Sequence, residues 1–275
     1  MLCERMQPQD LIAMVNHYFS EMYEEISRYN GTLIEFLGDG MFVIFGAPVT
    51  TDTHASDAVA AAVGMQSRMK AVNEWNAERG FEPLSMGIGI NTDAVILGNI
   101  GSERRTKYGV MGAAVNLAGR IESYTTEGQI LISSATRAMI REDLEVDFTL
   151  DIIPKGVQET TTVYGVSGIG APYDLHLEKK TEQMRKLPVP AAADFYYLDG
   201  KHVSGEKKQG MILSVSDNEM VLQTEEDLSV YENLKINIGD ALYAKITQKE
   251  NDLFTLRLTA KPACFDAWME KVICV

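Results

Sequence analysis

Residues 31–46 read GTLIEFLGDGMFVIFG, and this stretch decides how the first part of the chain folds. Two short runs rich in β-branched and aromatic residues, Thr32–Phe36 and Met41–Phe45, flank the tripeptide Gly38-Asp39-Gly40. That pattern predicts a β-hairpin with Asp39 at its tip. Asp-Gly either only makes the turn, or it presents a carboxylate that can bind Mg²⁺ together with the oxygens of a triphosphate. The tripeptide alone leaves both interpretations open.

A second informative stretch is residues 115–120, VNLAGR, which we predict to lie on a helix. Asn116 and Arg120 are four residues apart, so they share one helix face. Small and apolar neighbours suit a helix that is held closely against another surface. On such a helix an arginine can stabilise charge on a phosphoryl transition state, and an amide can orient a ribose hydroxyl. The alternative is a solvated polar stripe that includes Glu122.

Outward from these stretches, the apolar spacing predicts an α+β sandwich, with helices on a mostly antiparallel sheet. The predicted helices are Pro8–Tyr29, His54–Arg79, Ala113–Tyr124 and Ser134–Arg141. The predicted strands beyond the hairpin are Ser85–Asn91, Val95–Ile100, Gln129–Ile132, Thr149–Pro154 and Thr160–Val166. We expect the first two of these strands to pair with each other and the last two to form a closing pair.

A change in composition predicts a second domain. Proline, glycine and lysine concentrate between residues 169 and 194, which is typical of a linker. We therefore expect one domain at residues 1–168, a linker at 169–194 and a second domain at 195–275. For the second domain, the sequence predicts a small C-terminal β-barrel or sandwich followed by a helix. Its predicted elements are strands Gly210–Val215, Glu219–Thr224, Leu234–Ile238, Ala241–Gln248 and Leu253–Thr259 and helix Ala263–Val272.

The composition narrows the classes of partner. The chain has 25 basic and 39 acidic side chains and a net charge of -14, which argues against binding to nucleic acid or an anionic membrane. No run approaches the roughly 18 consecutive apolar residues of a membrane helix. The three cysteines are scattered and lack metal-ligand spacing, so we expect a reducing cytoplasm.

Six motifs, in this order along the chain, resemble those of the class III adenylyl and guanylyl cyclase catalytic domain. They are Phe36–Gly40, Phe45–Pro48, Gly87–Thr92, Gly98–Ser102, Val115–Arg120 and Gln129–Ser133. The resemblance implies a ferredoxin-like cyclase sandwich, a head-to-tail homodimer with its sites at the interface, and two Mg²⁺ or Mn²⁺ ions per site. The implied reaction is attack of the ribose 3′-OH of a nucleoside triphosphate on the α-phosphorus. Its products are a 3′,5′-cyclic nucleotide and pyrophosphate.

The resemblance also assigns roles to single residues. By position, Asp39 matches a metal-binding aspartate, Asn116 the ribose-orienting asparagine and Arg120 the transition-state arginine. Lys155 matches the lysine that contacts the terminal phosphates.

Glu35 stands where adenylyl cyclases have the lysine that reads adenine. A carboxylate only accepts hydrogen bonds and so suits the N1–H and N2–H₂ groups of guanine. The usual second base contact falls on Gly109, which has no side chain to offer. A preference for GTP over ATP is therefore a hypothesis, and the alternative is that Glu35 is a surface residue without a ligand.

Two further departures concern the catalytic machinery. Ala113 replaces an acidic residue that is common in the family before the Asn-Arg helix. The family's first strand, which carries the other metal-binding aspartate and a phosphate-binding turn, precedes Leu2 in the motif alignment. We therefore expect the 275 residues to be a fragment, or to start at an internal methionine, and to bind metal and turn over substrate weakly.

The second domain is weakly similar to the PilZ β-barrel that binds cyclic di-GMP. Ser214 and Glu219 occupy the Asp and Gly positions of its Asp-x-Ser-x-x-Gly turn, which leaves only Ser216, and the upstream basic residues are lysines. We expect a degenerate PilZ-like barrel that does not bind cyclic di-GMP. Two alternatives to an active cyclase remain at this point: a catalytically inactive cyclase-fold module that pairs with a partner cyclase, and a protein that only binds nucleotides.

Overall fold

The structure is a computed structural model that describes residues 6–102, 104–152, 160–178, 183–199 and 202–274. The chain divides into two compact units, Met1–Glu178 and Lys179–Val275. Within the described residues of unit 1, the elements are α1 (Pro8–Arg28), β1 (Thr32–Leu37), β2 (Gly40–Ile44), α2 (His54–Ala77), β3 (Ile88–Ile90), β4 (Ile96–Ser102), β5 (Arg105–Met111), α3 (Ala113–Ser123), β6 (Ile130–Ser133), α4 (Ser134–Met139), β7 (Leu144–Ile152), β8 (Thr161–Ile169) and β9 (Leu175–His176).

Helices α1 and α2 pack against each other. Met14, Tyr18, Met22 and Ile26 recur every four residues of α1 and are all buried, as an amphipathic helix requires. Buried Glu25 lies between the helices and accepts a 2.8 Å hydrogen bond from Arg68 Nε of α2. The ion pair compensates for the removal of this carboxylate from water.

The predicted hairpin is confirmed. Strands β1 and β2 are antiparallel, with Leu37 opposite Gly40, so Gly38 and Asp39 form a two-residue turn. Gly38 has a φ of +67°, a conformation that glycine adopts without steric cost. The strand register shifts between Leu33 and Glu35, and such a bulge re-aims the side chains that follow it.

The central sheet of unit 1 has the strand order β3-β6-β8-β7, with β9 added along β8. Alternate residues of β6 face opposite sides, as in any strand. Ile130 and Ile132 pack with α2, and Leu131 packs with Ile121 of α3. Helices α2 and α3 therefore cover the two faces of one sheet.

The predicted pairing of the Ser85–Asn91 and Val95–Ile100 strands is wrong. Strand β3 pairs in parallel with β6, and β4 pairs antiparallel with β5. Parallel strands need a long crossover connection, and the β4–β5 ribbon with α3 supplies it between β3 and β6. The hairpin β1–β2 and the ribbon β4–β5 form sheets of their own in the described part of the chain. The predicted α+β class is confirmed, and the ferredoxin-like arrangement stays a prediction.

Unit 2 contains the predicted barrel. Its described elements are β10 (Arg185–Asp199), β11 (His202–Val203), β12 (Lys208–Val215), β13 (Glu219–Gln223), β14 (Asn233–Asn237), β15 (Ala241–Glu250), β16 (Leu253–Ala260) and α5 (Phe265–Ile273). Six strands follow the order β10-β12-β13-β16-β15-β14, and β14 pairs with β10 to close the barrel. Phe265 and Met269 of α5 pack into the barrel core.

Part of the predicted linker 169–194 is regular structure. Ile169 ends β8, β9 lies within the range, and β10 begins at Arg185. The prolines that suggested a linker, Pro188 and Pro190, lie where the β10 register shifts between Lys186 and Ala191. A bulge tolerates residues that lack a backbone N–H, so these prolines do not interrupt the strand.

Among the described residues, no helix has both the length and the apolar character needed to cross a membrane.

Candidate active site

Asp39 lies exposed at the tip of the β1–β2 hairpin. Beneath the hairpin, Tyr18 of α1 donates its hydroxyl to the sulfur of Met86 at 3.5 Å. Burial, and to a smaller degree the negative charge of Asp39, raise the pKa of Tyr18 to about 12. The negative charge of Asp39 thus acts on Tyr18 of α1, the helix below the hairpin.

The described residues contain no group of three His, Cys, Asp or Glu side chains placed to hold a metal ion. Magnesium in nucleotide sites takes one or two protein carboxylates and completes its shell with water and phosphate oxygens. An exposed carboxylate at a turn fits the role of one such ligand. By itself, Asp39 therefore provides only part of the set of metal ligands that the family resemblance implies.

Glu35 of β1 is held by Lys107 of β5. The ammonium Nζ of Lys107 lies 2.7 Å from each of the two carboxylate oxygens of Glu35. The Glu35 side chain remains 42% exposed, and that of Lys107 61%. Glu35 therefore carries a charged partner and is still open to a ligand.

Sequence reasoning missed Lys107. The signal that could have found it is its spacing, since Lys107 lies two residues before Gly109 and so on the same face of β5. Gly109 itself is opposite Gly98 of β4. The residue of the β4–β5 ribbon that contacts Glu35 is thus Lys107. It lies near Gly109, the position at which the family resemblance placed the second base contact.

Asn116 and Arg120 lie on α3, and their helix is packed closely on the sheet. Asn116 is exposed and Arg120 is half-buried. A Cβ atom added to Gly89 of β3 would overlap the backbone of Ala118 and Glu122. The absence of a side chain at Gly89 therefore lets α3 approach β3 and sets the position of the polar face.

The predicted site residues form two groups within one chain. Asp39 and Glu35 lie on the hairpin, and Asn116 and Arg120 lie on α3. Among the described residues, no hydrogen bond or ion pair joins the two groups. Lys155 falls in residues 153–159, outside the described part of the chain.

Known proteins show which family the first part of the chain resembles. A family model described as the Adenylate and Guanylate cyclase catalytic domain matches residues 1–168, more than half of the chain. The chain belongs to this cyclase family. Both groups of polar side chains lie within the matched residues 1–168.

The relatives include proteins named as adenylate cyclases and proteins named as guanylate cyclases. Adenylate cyclase 1 of Rhizobium meliloti is 28% identical over 170 residues, which cover 61% of this chain and 26% of the relative. The guanylate cyclase soluble subunit beta-2 of Rattus norvegicus is 29% identical over 174 residues, covering 63% of this chain and 25% of the relative. The chain thus spans about a quarter of the length of these relatives.

Among solved structures, the guanylyl cyclase Cya2 is 46% identical to this chain, with a TM-score of 0.62. The match covers 64% of this chain and 89% of Cya2. The cyclase fold of this chain therefore has support from both sequence and structure.

Proposed function

We propose that the protein is a nucleotide cyclase that converts ATP or GTP to a 3′,5′-cyclic nucleotide and pyrophosphate. The observation that carries the proposal is the family match over residues 1–168, together with an α3 that presents Asn116 and Arg120 on one face. In the reaction, O3′ forms a bond to the α-phosphorus, the bond from that phosphorus to the pyrophosphate oxygen breaks, and the O3′ proton is lost to solvent.

Each proposed site residue acts on a separate part of the substrate. Asn116 orients the ribose so that O3′ faces the phosphorus, which lowers the entropic part of the barrier. Arg120 donates to the oxygens that gain charge in the transition state. Asp39 would hold one Mg²⁺ or Mn²⁺ ion, and the ion would neutralise charge on the phosphate oxygens. Lys155 would bind the terminal phosphates.

The site is completed by a second copy of the chain. Among the described residues, no hydrogen bond or ion pair joins the hairpin group to the α3 group of the same chain. A head-to-tail homodimer would join the hairpin of one copy to α3 of the other. Large apolar side chains near the hairpin tip and on the β4–β5 ribbon support such an interface, because exposed apolar patches mark contact surfaces. They are Phe36, Leu37, Ile96, Tyr108 and Met111, which are 46–75% exposed.

Complementation between two inactive variants tests both the chemistry and the dimer. With GTP or ATP and Mg²⁺ or Mn²⁺, we expect Asp39→Ala and Arg120→Ala each to abolish cyclic nucleotide formation. An equal mixture should regain about a quarter of the wild-type rate, because half of the symmetric dimers become mixed and each mixed dimer has one intact site. A mixture as inactive as its components would refute the composite site, and a wild-type chain without turnover would refute the activity.

We further propose that the C-terminal barrel is a degenerate PilZ-like scaffold that does not bind cyclic di-GMP. The hydroxyl Oγ of Ser216 accepts hydrogen bonds from the backbone N–H groups of Asn218 and Glu219, at 3.3 and 2.9 Å. The side chain of Glu219 accepts from Arg257 at 3.3 Å. Ser216 thus stabilises the turn itself, and Glu219 pairs with the neighbouring strand β16. Tight cyclic di-GMP binding in calorimetry would refute the proposal.

A further inference from the structure

The first turn of α3 carries Asn116 but has little local support of the kind that usually begins a helix. Gly112, the residue before the helix, has no side chain that could cap it, and the first turn contains no acidic residue. A helix start leaves backbone N–H groups without a partner inside the helix, and the lack of a capping side chain weakens it. Asn116 is the fourth residue of α3, so fraying of this turn would move its side chain.

A contact from outside the helix holds this turn. The side-chain nitrogen Nδ2 of Asn91, which directly follows β3, donates a hydrogen bond to the backbone carbonyl of Ala114 at 3.2 Å. Ala114 is 7% exposed, and Asn91 is half-buried. Because burial strengthens a hydrogen bond and limits competition from water, this bond can keep the start of α3 in place.

The segment that carries Asn91 is itself fixed. The next residue, Thr92, shares a 3.0 Å hydrogen bond with the hydroxyl of Thr136 in α4. Thr136 is fully buried, and its hydroxyl also donates to the backbone carbonyl of Ile90 at 3.4 Å. Asn91 thus lies between two residues that are bound to the same threonine. A donor held in this way can set where the helix begins, whereas a mobile donor would only follow the helix.

We propose that Asn91 is a positioning residue that fixes the first turn of α3 and thereby directs Asn116 at the ribose. This inference rests on the proposed cyclase function and gives a role to the end of the motif Gly87–Thr92. Within that motif, Gly89 sets how closely α3 approaches the sheet, and Asn91 sets where its first turn lies. Since Asn116 acts by aiming O3′ at the phosphorus, loss of the anchor should slow turnover rather than weaken substrate binding.

Two matched variants of the full chain test the hydrogen bond. Asn91→Asp removes the N–H donor and keeps the shape of the side chain. The control Asn73→Asp removes a similar donor in α2, where Nδ2 of Asn73 donates to the carbonyl of Leu84 at 2.8 Å. With Mg²⁺ and ATP or GTP, we expect Asn91→Asp to lower kcat about tenfold and to change KM less than about twofold, because orientation rather than binding is lost. Asn73→Asp should change neither constant by more than about twofold.

Asn91→His tests whether the donor itself matters, since Nδ1 of histidine lies as many bonds from Cα as the lost amide nitrogen. At about pH 8 the imidazole is neutral and can carry its proton on Nδ1, so this variant should restore most of kcat. Asn91→Ala introduces no charge and should lower kcat as Asn91→Asp does, which keeps the test available if urea unfolding shows that Asn91→Asp does not fold. A histidine variant as slow as Asn91→Ala would overturn the role of the donor.

Mixed dimers show on which half of the site Asn91 acts. In an equal mixture with Asp39→Ala, Asn91→Asp should regain about a quarter of the wild-type rate, since one site of each mixed dimer then combines an intact hairpin with an intact α3. In an equal mixture with Arg120→Ala, the rate should reach only about half of that of Asn91→Asp alone, because every α3 in the mixture is impaired. Recovery with Arg120→Ala instead would place Asn91 in the hairpin half and overturn the proposal.

Hydrogen exchange separates this inference from the proposed function, because it needs no turnover. Without nucleotide, residues 112–123 should exchange about threefold faster or more in Asn91→Asp than in the wild type, and Asn73→Asp should leave their exchange unchanged. Unchanged exchange in Asn91→Asp, or an unchanged kcat, would overturn the positioning role with the cyclase function intact. A wild-type chain that forms no cyclic nucleotide would refute the proposed function and this inference with it.

Discussion

The close contact between α3 and β3 predicts a large effect of a small substitution, Gly89→Ala. The added methyl group would overlap the backbone nitrogen of Glu122 and the carbonyl oxygen of Ala118. Backbone atoms cannot rotate away as a side chain can, so the helix must shift away from the strand. This shift would displace Asn116 and Arg120, which lie on the same helix.

The expected magnitude follows from the cost of overpacking. Added methyl groups in well-packed interiors destabilise by about 1–3 kcal/mol. We expect a loss of ~2 kcal/mol in the free energy of unfolding of unit 1. For a unit of this size, that loss lowers Tm by ~4–8 °C. Cyclase activity should fall further than the population of folded protein, because Arg120 is moved in the molecules that remain folded.

Tryptophan fluorescence can follow unit 1 by itself. The chain has two tryptophans, Trp75 in α2 of unit 1 and Trp268 in α5 of unit 2. In a Trp268→Phe background, urea unfolding monitored at Trp75 reports the unit that contains Gly89. The single probe avoids the assumption that both units unfold together.

Gly119→Ala is the matched control. Gly119 lies inside α3, and a Cβ added there would meet no atom within 4 Å apart from its chain neighbours and the nearby backbone of its own helix. Since alanine favours the helix over glycine, this variant should gain about 0.5–1 kcal/mol. If Gly89→Ala proves as stable as the wild type and fully active, α3 is not held by its contact with β3 and the reasoning is wrong.

Three further predictions follow from other contacts. Arg68→Ala leaves the buried carboxylate of Glu25 without its α2 partner and should cost about 3 kcal/mol in urea unfolding; a loss within error of zero would contradict a role for this pair. Because the pKa of Tyr18 is about 12 in the folded chain and 10.0 ordinarily, its contribution to stability is complete below pH 10 and falls as the pH rises toward 12. By linkage this loss of stability amounts to ~2–3 kcal/mol. Between pH 9 and 12, the free energy of unfolding of Tyr18→Phe should therefore fall by that much less than the free energy of unfolding of the wild type. An equal fall in both proteins would disprove the raised pKa. Leu37→Asp, at a 59% exposed site, should weaken dimerisation about tenfold or more in analytical ultracentrifugation, whereas Val203→Asp in unit 2 should leave it unchanged.

Local patterns predicted the elements of this chain well. The four-residue spacing in α1 predicted Pro8–Tyr29 against the observed Pro8–Arg28, and Asn30 adopts the left-handed backbone expected after a helix, with a φ of +60°. The hairpin around Asp39 was predicted for the same reason, because its turn chemistry lies within a few residues. Such signals are local, and they need no knowledge of the rest of the fold.

Pairing between distant segments could not be predicted in this way. Strand β5 was missed because its residues 105–108 are all exposed and show no alternation of apolar and polar residues. Without β5, the sequence offered β3 as the nearest partner for β4. Lys107 escaped notice for a related reason, since its partner Glu35 is 72 positions away along the chain. The site residues predicted from motifs were those whose roles depend on residue type and local spacing.

The way in which α5 joins the barrel has a consequence for synthesis on the ribosome. Strand β10 begins unit 2, and its Arg185 donates to the sulfur of Met269 in α5 at 3.7 Å. The strand therefore gains its last partners only after α5 has left the exit tunnel. All described elements of unit 1 precede residue 179, and domains fold as units while translation proceeds. The described elements of unit 1 can thus form while the barrel is still open.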